Sequence, residues 1–186
     1  MRWDGLFADL EAQAEALEIA ERAAEVEERA RAEFGRIRLL DRLRPGVGAP
    51  VRLRCLAGTT VAGVLRRVGP DWLLVDEGAE REAVVVAAAL LSVAGLPRVS
   101  APPDSAGVVE SRLGLRHALR GIARDRSPVR VVDRSGATLD GTIDQLGADF
   151  VELAEHAAGE LRRRADVRDV LALPLDALVV VRRVVG

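Results

Sequence analysis

Four arginines, Arg112, Arg116, Arg120 and Arg124, recur at every fourth position. That spacing lines side chains along one face of a helix. A row of guanidinium groups can track phosphates, so this face suggests recognition of a nucleic-acid backbone or of an acidic partner. Arg162, Arg163 and Arg164 form a second basic cluster. Two plainer roles compete. A charge run is most often a solvated face. An acidic helix laid against it would neutralise it, and Glu11, Glu15, Glu18, Glu21 and Glu25 recur at similar spacing near the N-terminus. The chain contains no Lys, so arginine stands for every cationic side chain apart from two His. Codon bias therefore accounts for part of the arginine content and weakens the phosphate signal. A solvated face ranks first, internal or intersubunit pairing second, and nucleic acid third.

Groups suited to catalysis are sparse. His117 falls on the arginine-bearing helix and His156 in a loop, and no motif links either to a nucleophile. Cys55 lies in an expected strand and faces Asp133 in the internal repeat described below. A strand position that tolerates either residue is preferred over a reactive thiol. Asp71 and Asp149 invite a reading as paired carboxylates. They occupy equivalent turns, where a short polar side chain bonds its own backbone, and that reading is preferred. No C-x-x-C or H-E-x-x-H spacing occurs, so no metal or cofactor is expected. Gly46 and Gly48 lack the remainder of a phosphate loop and read as linker.

Composition sets the frame for these groups. Hydrophobic residues make up 49% and charged residues 30% of 186, which suits a globular protein with a true core. The formal net charge is −2, so any nucleic-acid surface must be a local patch. One cysteine excludes an internal disulfide and fits a cytoplasmic location. No apolar stretch approaches membrane-spanning length, and no membrane insertion is expected. The segment after Met1 enters charged helix without an apolar signal core.

The elements that must position these residues follow from periodicity. Residues 3–43 read as one long helix, free of Pro until Pro45. Leu6, Leu10, Leu17 and Ala24 form a loose heptad-like stripe, continued by Phe34, Ile37 and Leu40. The stripe suits either packing on the rest of the chain or self-association as a homodimer. Residues 45–50 are a Pro/Gly linker. An internal repeat follows. The offset that carries Val51-Arg52 onto Val129-Arg130 also carries Gly58, Thr60, Gly63, Gly69 and Asp71 onto Gly136, Thr138, Gly141, Gly147 and Asp149. Trp72 falls on Phe150, so both rings read as core. The match resumes at Ala89-Leu90 with Ala177-Leu178, after an insertion in the second copy around His156 to Asp169.

Each copy reads as five short strands, in the first copy 51–56, 60–68, 72–76, 83–87 and 90–94. Gly63 and Gly141 inside strands mark a bend or a close backbone approach. The fold class is α+β: a long N-terminal helix (1–44), linker 45–50, barrel 51–96, loop 97–105, connecting helix 106–126 and barrel 127–186. Each barrel is a small five-stranded one, and the helix joins the two.

The run Gly63-Val64-Leu65 through Asp71-Trp72-Leu73-Leu74-Val75-Asp76 resembles the first half of the Sm motif, as does Gly141-Thr142-Ile143 through Asp149-Phe150-Val151-Glu152-Leu153. The resemblance implies tandem Sm-like small barrels. Sm-like proteins bind RNA through an Asn and an Arg-Gly pair. This chain has no Asn, and the segments leading into Leu91 and Val179 lack Arg-Gly, so ring assembly and uridine-tract binding are not implied. The whole chain is also similar to an uncharacterised actinobacterial family, on Met1-Arg2-Trp3-Asp4-Gly5-Leu6-Phe7 and on Leu113-Gly114-Leu115-Arg116-His117-Ala118-Leu119-Arg120. Such proteins are often labelled Fis-like transcriptional regulators. That label calls for a C-terminal helix-turn-helix, whereas Leu178-Val179-Val180-Val181 reads as a strand.

The expectation is a non-enzymatic adaptor or scaffold acting through a protein partner. The alternative is an RNA- or DNA-associated regulator that binds through Arg112, Arg116, Arg120, Arg124 and Arg162 to Arg164.

Overall fold

The computed structural model describes residues 3–102, 113–157 and 167–184, with side chains from residue 11 onward. The chain forms two compact units, Met1–Arg38 and Leu39–Gly186. The first is helix α1 (Trp3–Phe34). Its Ala, Glu, Leu and Arg content gives strong helix propensity. Arg22–Glu18, Arg29–Glu25 and Arg31–Glu27 pair one turn apart at 2.9, 3.3 and 3.0 Å. All six side chains are exposed, so each pair adds only a few tenths of a kcal/mol (~0.3–0.5).

The long helix expected over 3–43 stops at Phe34. Gly35 follows, and glycine is a poor helix former. The chain then tightens into i→i−3 bonds, Arg36 N–H to Glu33 O and Ile37 N–H to Phe34 O, both 3.1 Å. A separate short helix, α2 (Leu39–Leu43), begins the second unit and buries Leu43 completely.

The second unit is a sheet. Its strands are β1 (Pro50–Cys55), β2 (Thr60–Val68), β3 (Trp72–Gly78), β4 (Arg81–Val86) and β5 (Leu90–Ala94), then β6 (Pro128–Asp133), β7 (Thr138–Leu146), β8 (Phe150–Glu155), β9 (Asp169–Pro174) and β10 (Leu178–Arg183). Helix α3 (Leu115–Asp125) lies between the two sets in sequence. The expected strands are therefore present in both copies. Along β1, exposed and buried positions alternate strictly, which turns Val51, Leu53 and Cys55 inward.

The repeat leads to an expectation of two five-stranded barrels joined by a helix, whereas the strands of both copies join in one open ten-stranded antiparallel sheet, in the order β5-β1-β2-β3-β4-β10-β6-β7-β8-β9. Each half keeps the same internal order. They join where β4 pairs with β10, through Val84↔Val181, Val85↔Val180 and Ala83↔Arg182. All four valines are buried. Each contributes about 1.5–3 kcal/mol by leaving water. Strand β4 thus gains a partner for an apolar edge that its own half, as an open five-stranded sheet, would leave uncovered.

Both interior glycines occur where another backbone comes close. A Cβ on Gly63 would overlap the Asp76 carbonyl, and one on Gly141 the Ala154 carbonyl. Equivalent bulges follow, between Leu65 and Arg67 and between Ile143 and Gln145. Gly69 and Gly147 are each covered by the aromatic ring three residues on, Trp72 and Phe150. Trp72 is buried, whereas Phe150 is half-buried. The connecting helix expected over 106–126 is described from Leu115 only. Gly114 before it is extended (φ −65, ψ 176), and residues 106–112 lie outside the described residues. Among the described residues no helix is long and apolar enough to cross a membrane.

Replacing Gly63 or Gly141 with Ala should cost about 1–3 kcal/mol through overpacking against backbone. Gly121, where a Cβ meets nothing within 4 Å, should tolerate Ala without loss. Urea unfolding of the three variants checks both expectations.

Candidate functional site

The site is built around α3. Leu115 and Leu119 are buried, and Ala118, Ile122 and Ala123 pack on the core, so one side of the helix is committed to the sheet. Its start is fixed from the β2–β3 turn. The Asp71 carboxylate accepts the Leu115 N–H at 2.7 Å, and the Trp72 indole N–H donates to the Leu113 carbonyl at 2.7 Å. A carboxylate also suits the positive end of the helix dipole. The sequence predicts that Asp71 bonds within its own turn. It reaches a different element instead, because α3 packs directly over that turn. The two aspartates use their carbonyls alike, Asp71 accepting from Ala87 N–H at 2.9 Å and Asp149 from Leu175 N–H at 2.7 Å, and only the Asp71 carboxylate also holds the start of a helix.

With its apolar side anchored, α3 turns Arg116, Arg120 and Arg124 outward, and all three are exposed. They form no salt bridge with another of the described residues. Arg112 and Arg162 to Arg164 lie outside the described residues. Glu18 and Glu25 of α1 are paired within α1 itself. Beside α3 lies a cleft of about 330 Å³, with Trp72, Leu74 and Ile122 among its apolar walls and Arg67, Glu82 and His117 among its polar ones.

Of the self-association candidates, Leu17 and Phe34 are 65% and 62% exposed on α1. The Leu6 and Leu10 side chains lie outside the described ones, and Ile37 sits beyond the end of the helix, half-buried. Sequence reasoning passed over Ile19 and Val26, which are equally exposed and one heptad apart.

A second open cavity, about 650 Å³, lies at the β4–β10 joint. Its charges are largely spoken for. Arg182 pairs with Glu77 at 2.9 Å and donates to the Thr60 carbonyl at 3.1 Å. Arg130 grips Asp140 through two bonds of 2.8 and 3.0 Å. The other chemistry-bearing groups are also bound into the fold. His156 is buried, with ring nitrogens 2.8 Å from Thr142 Oγ1 and 3.0 Å from the Ala157 carbonyl. The carbonyl can only accept, so Nδ1 donates to it. Asp133 accepts from the Ser135 hydroxyl at 2.6 Å and from the Ser135 and Ala137 N–H groups. The hydroxyl and then these backbone donors hold its carboxyl below the usual range. Arg66 does the same for Asp76. Burial pushes the Cys55 thiol up, and Arg182 only partly opposes this. Among the described residues no group of three or more His, Cys, Asp or Glu could hold a metal ion.

Neither a family model nor a curated protein matches this chain.

Asp71→Ala removes the acceptor at the start of α3 and should destabilise the protein by about 1 kcal/mol. Hydrogen exchange should quicken at Leu115 before it does in the strands. Cys55, buried and with a raised pKa, should resist iodoacetamide in the native protein and react fully in guanidinium chloride. Rapid native alkylation would contradict the placement of that side chain.

Proposed function

We propose that this chain is a non-catalytic adaptor or scaffold that works through protein–protein contacts and self-associates through α1. The observation that carries this reading is the surface of α1. Residues 11–34 are exposed on every side, and Leu17, Ile19, Val26 and Phe34 are large apolar side chains among them. Most helix stability in proteins comes from packing an apolar face. Among the described side chains, 11–34, the stabilising contacts within α1 are i,i+4 ion pairs, and a second copy would add the apolar contribution. Ile19 and Val26, with Ala12, Ala16, Ala23 and Ala30 between and around them, give spacings of three and four that suit a close two-helix seam. The structural use of His156, Asp71, Asp140 and Glu77 supports the same reading, because a catalytic site needs such groups to converge on a substrate.

The repeated strand order of the two halves supports a finer reading of each half as an Sm-like small barrel, opened toward its neighbour at β4 and β10. Location in the cytoplasm belongs to the same proposal and rests on the single cysteine.

One observation favours a second reading, a regulator that binds RNA or DNA. Arg116, Arg120 and Arg124 are exposed along one face of a firmly anchored helix.

Two measurements separate these readings. Sedimentation equilibrium of the full chain should give a dimer, and Ile19→Glu with Val26→Glu should return it to a monomer. A monomeric wild-type protein at micromolar concentration would sink self-association. Labelled RNA and DNA at two salt concentrations test the alternative. That reading requires binding that falls steeply with salt and whose slope flattens when the three arginines become Gln.

A further inference from the structure

The two ends of the sheet are not alike, and the difference follows from hydrogen-bond parity. In an antiparallel ladder, alternate residues direct N–H and C=O toward one neighbour and the rest toward the other. On β9, Leu175 N–H donates to Asp149 just beyond the strand. Continuing that register assigns Leu173 and Leu171 to β8 and leaves Val170, Ala172 and Pro174 facing the open edge. Pro174 has no N–H, and the Val170 N–H is taken by the Asp169 carboxylate at 2.7 Å. One donor, on Ala172, remains. This edge is blunted against strand addition.

The other end, β5, carries no such protection. Its counterpart in the second half is β10. There Val184 N–H donates to the Pro128 carbonyl, and the same parity assigns Arg182 to β6 and Val181 to β4. The repeat carries Val181 onto Val93, which pairs with Leu53 on one side and ends the sheet on the other. Val93 therefore turns its N–H and C=O to an open edge that in the other half is already occupied by a strand. Leu91, 61% exposed, flanks it.

The outer face beside this edge is basic. Arg52 and Arg54 on β1 stand opposite Ala94 and Ser92 of β5, so all four share one face, and all four are exposed. Arg130, the repeat counterpart of Arg52, is held by Asp140. The position matching Asp140 is Ala62, directly across from Arg52, so this half lacks the counter-ion. Neither Arg52 nor Arg54 forms a salt bridge with another of the described residues. An added strand would lie two strand spacings from β1, about 10 Å. Only the short side chains of Ser92 and Ala94 stand between, so a guanidinium can lean over them to an acidic side chain.

We propose that β5 is a docking edge for an extended acidic peptide segment of a partner protein, which adds as a further strand beside Val93 and sets acidic residues against Arg52 and Arg54. The alternate residues of the segment are apolar and face Leu91 and Val93. Strand addition supplies main-chain hydrogen bonds, and the arginines supply selectivity for charge. This deepens the adaptor reading and rests on it.

The test uses the full-length chain and a labelled, blocked octapeptide of alternating Glu and Val, with a Lys/Val octapeptide as control. Fluorescence anisotropy should show binding of the acidic peptide only. Arg52→Glu with Arg54→Glu should weaken it by about tenfold or more. Val93→Pro, which removes an edge donor and no bond to β1, should do the same, while Ala172→Pro on the β9 edge should leave binding unchanged. Amide exchange on the wild-type protein gives a readout independent of any variant, since the Val93 N–H should slow when peptide is added. Equal binding of both peptides, no binding of the acidic one, or an unchanged Val93 exchange rate would each overturn the proposal. Loss of peptide binding with dimerisation through α1 intact would remove this inference and leave the adaptor reading standing. A monomeric protein that still binds the peptide at β5 would do the reverse for self-association.

Discussion

The ladder between β4 and β10 is the interaction on which the second unit depends. Without it, Val84 and Val85 would form an apolar edge on one half and Val180 and Val181 on the other. Pairing them converts two short sheets into one and makes the repeat a single mechanical body. The Arg182–Glu77 ion pair crosses the same joint, with side chains 22% and 16% exposed. Partial burial strengthens its attraction and its desolvation cost together, so its clearest contribution is to tie the end of β3 to β10 across the joint. The joint also determines what is left over. A sheet assembled this way has one copy of β5 and one copy of β9 at its ends, and every question about its edges reduces to those two strands.

Helix α3 takes the position of its first turn from the first half and lies against β7 of the second. Asp71 and Trp72 hold its first turn, and Leu115 and Leu119 insert below it. Both holding residues come from one turn, next to Gly69, whose missing side chain makes room for the Trp72 ring. The glycine, the indole and the carboxylate thus form one device. In the second half, Gly147 and Phe150 keep the glycine–ring contact, but a phenyl ring has no N–H to give, and no described helix follows to receive it. The orientation of the exposed arginines on α3 therefore draws on both repeats, the first holding the start of the helix and β7 of the second lying against it.

The strands, the repeat and the buried alternation were legible in the sequence because they are local: a period of two over five to nine residues needs no knowledge of partners. The close approach at Gly63 and Gly141 was legible for the same reason. The pairing of β4 with β10 was not. Alternation says which face of a strand is buried and says nothing about which strand lies beside it, and these two are separated by about half of the chain. The end of α1 at Gly35 was passed over because the apolar stripe continues in spacing through Ile37 and Leu40, although Ile37 has left the helix and Leu40 belongs to α2. On the site, the outward arginine face of α3 followed from spacing. Its anchoring did not, because Asp71 and Leu115 are distant in sequence and a turn aspartate has a ready local use.

Two copies of one strand pattern within a single chain distinguish the residues that the fold requires from those with a use of their own. Where both copies agree there is a common steric reason, a neighbouring carbonyl at Gly63 and Gly141 and an aromatic ring at Gly69 and Gly147. Where they differ, the fold has no common need, and the difference has its own cause. Asp71 and Asp149 agree in type yet only one holds a helix. Arg52 and Arg130 agree in type yet only one has an acid across from it. Pro174 and the Asp169 carboxylate quiet one edge, while Ser92 and Ala94 leave the other low and open. An unpaired sheet edge is a hazard that is ordinarily covered or charged. Here the protection falls on one end only, and the unprotected end is the one flanked by arginines without counter-ions. Symmetric protection would describe a sheet meant to stand alone, and symmetric exposure would describe one meant to polymerise. The observed asymmetry describes a sheet with one end closed and the other kept available for a strand of opposite charge.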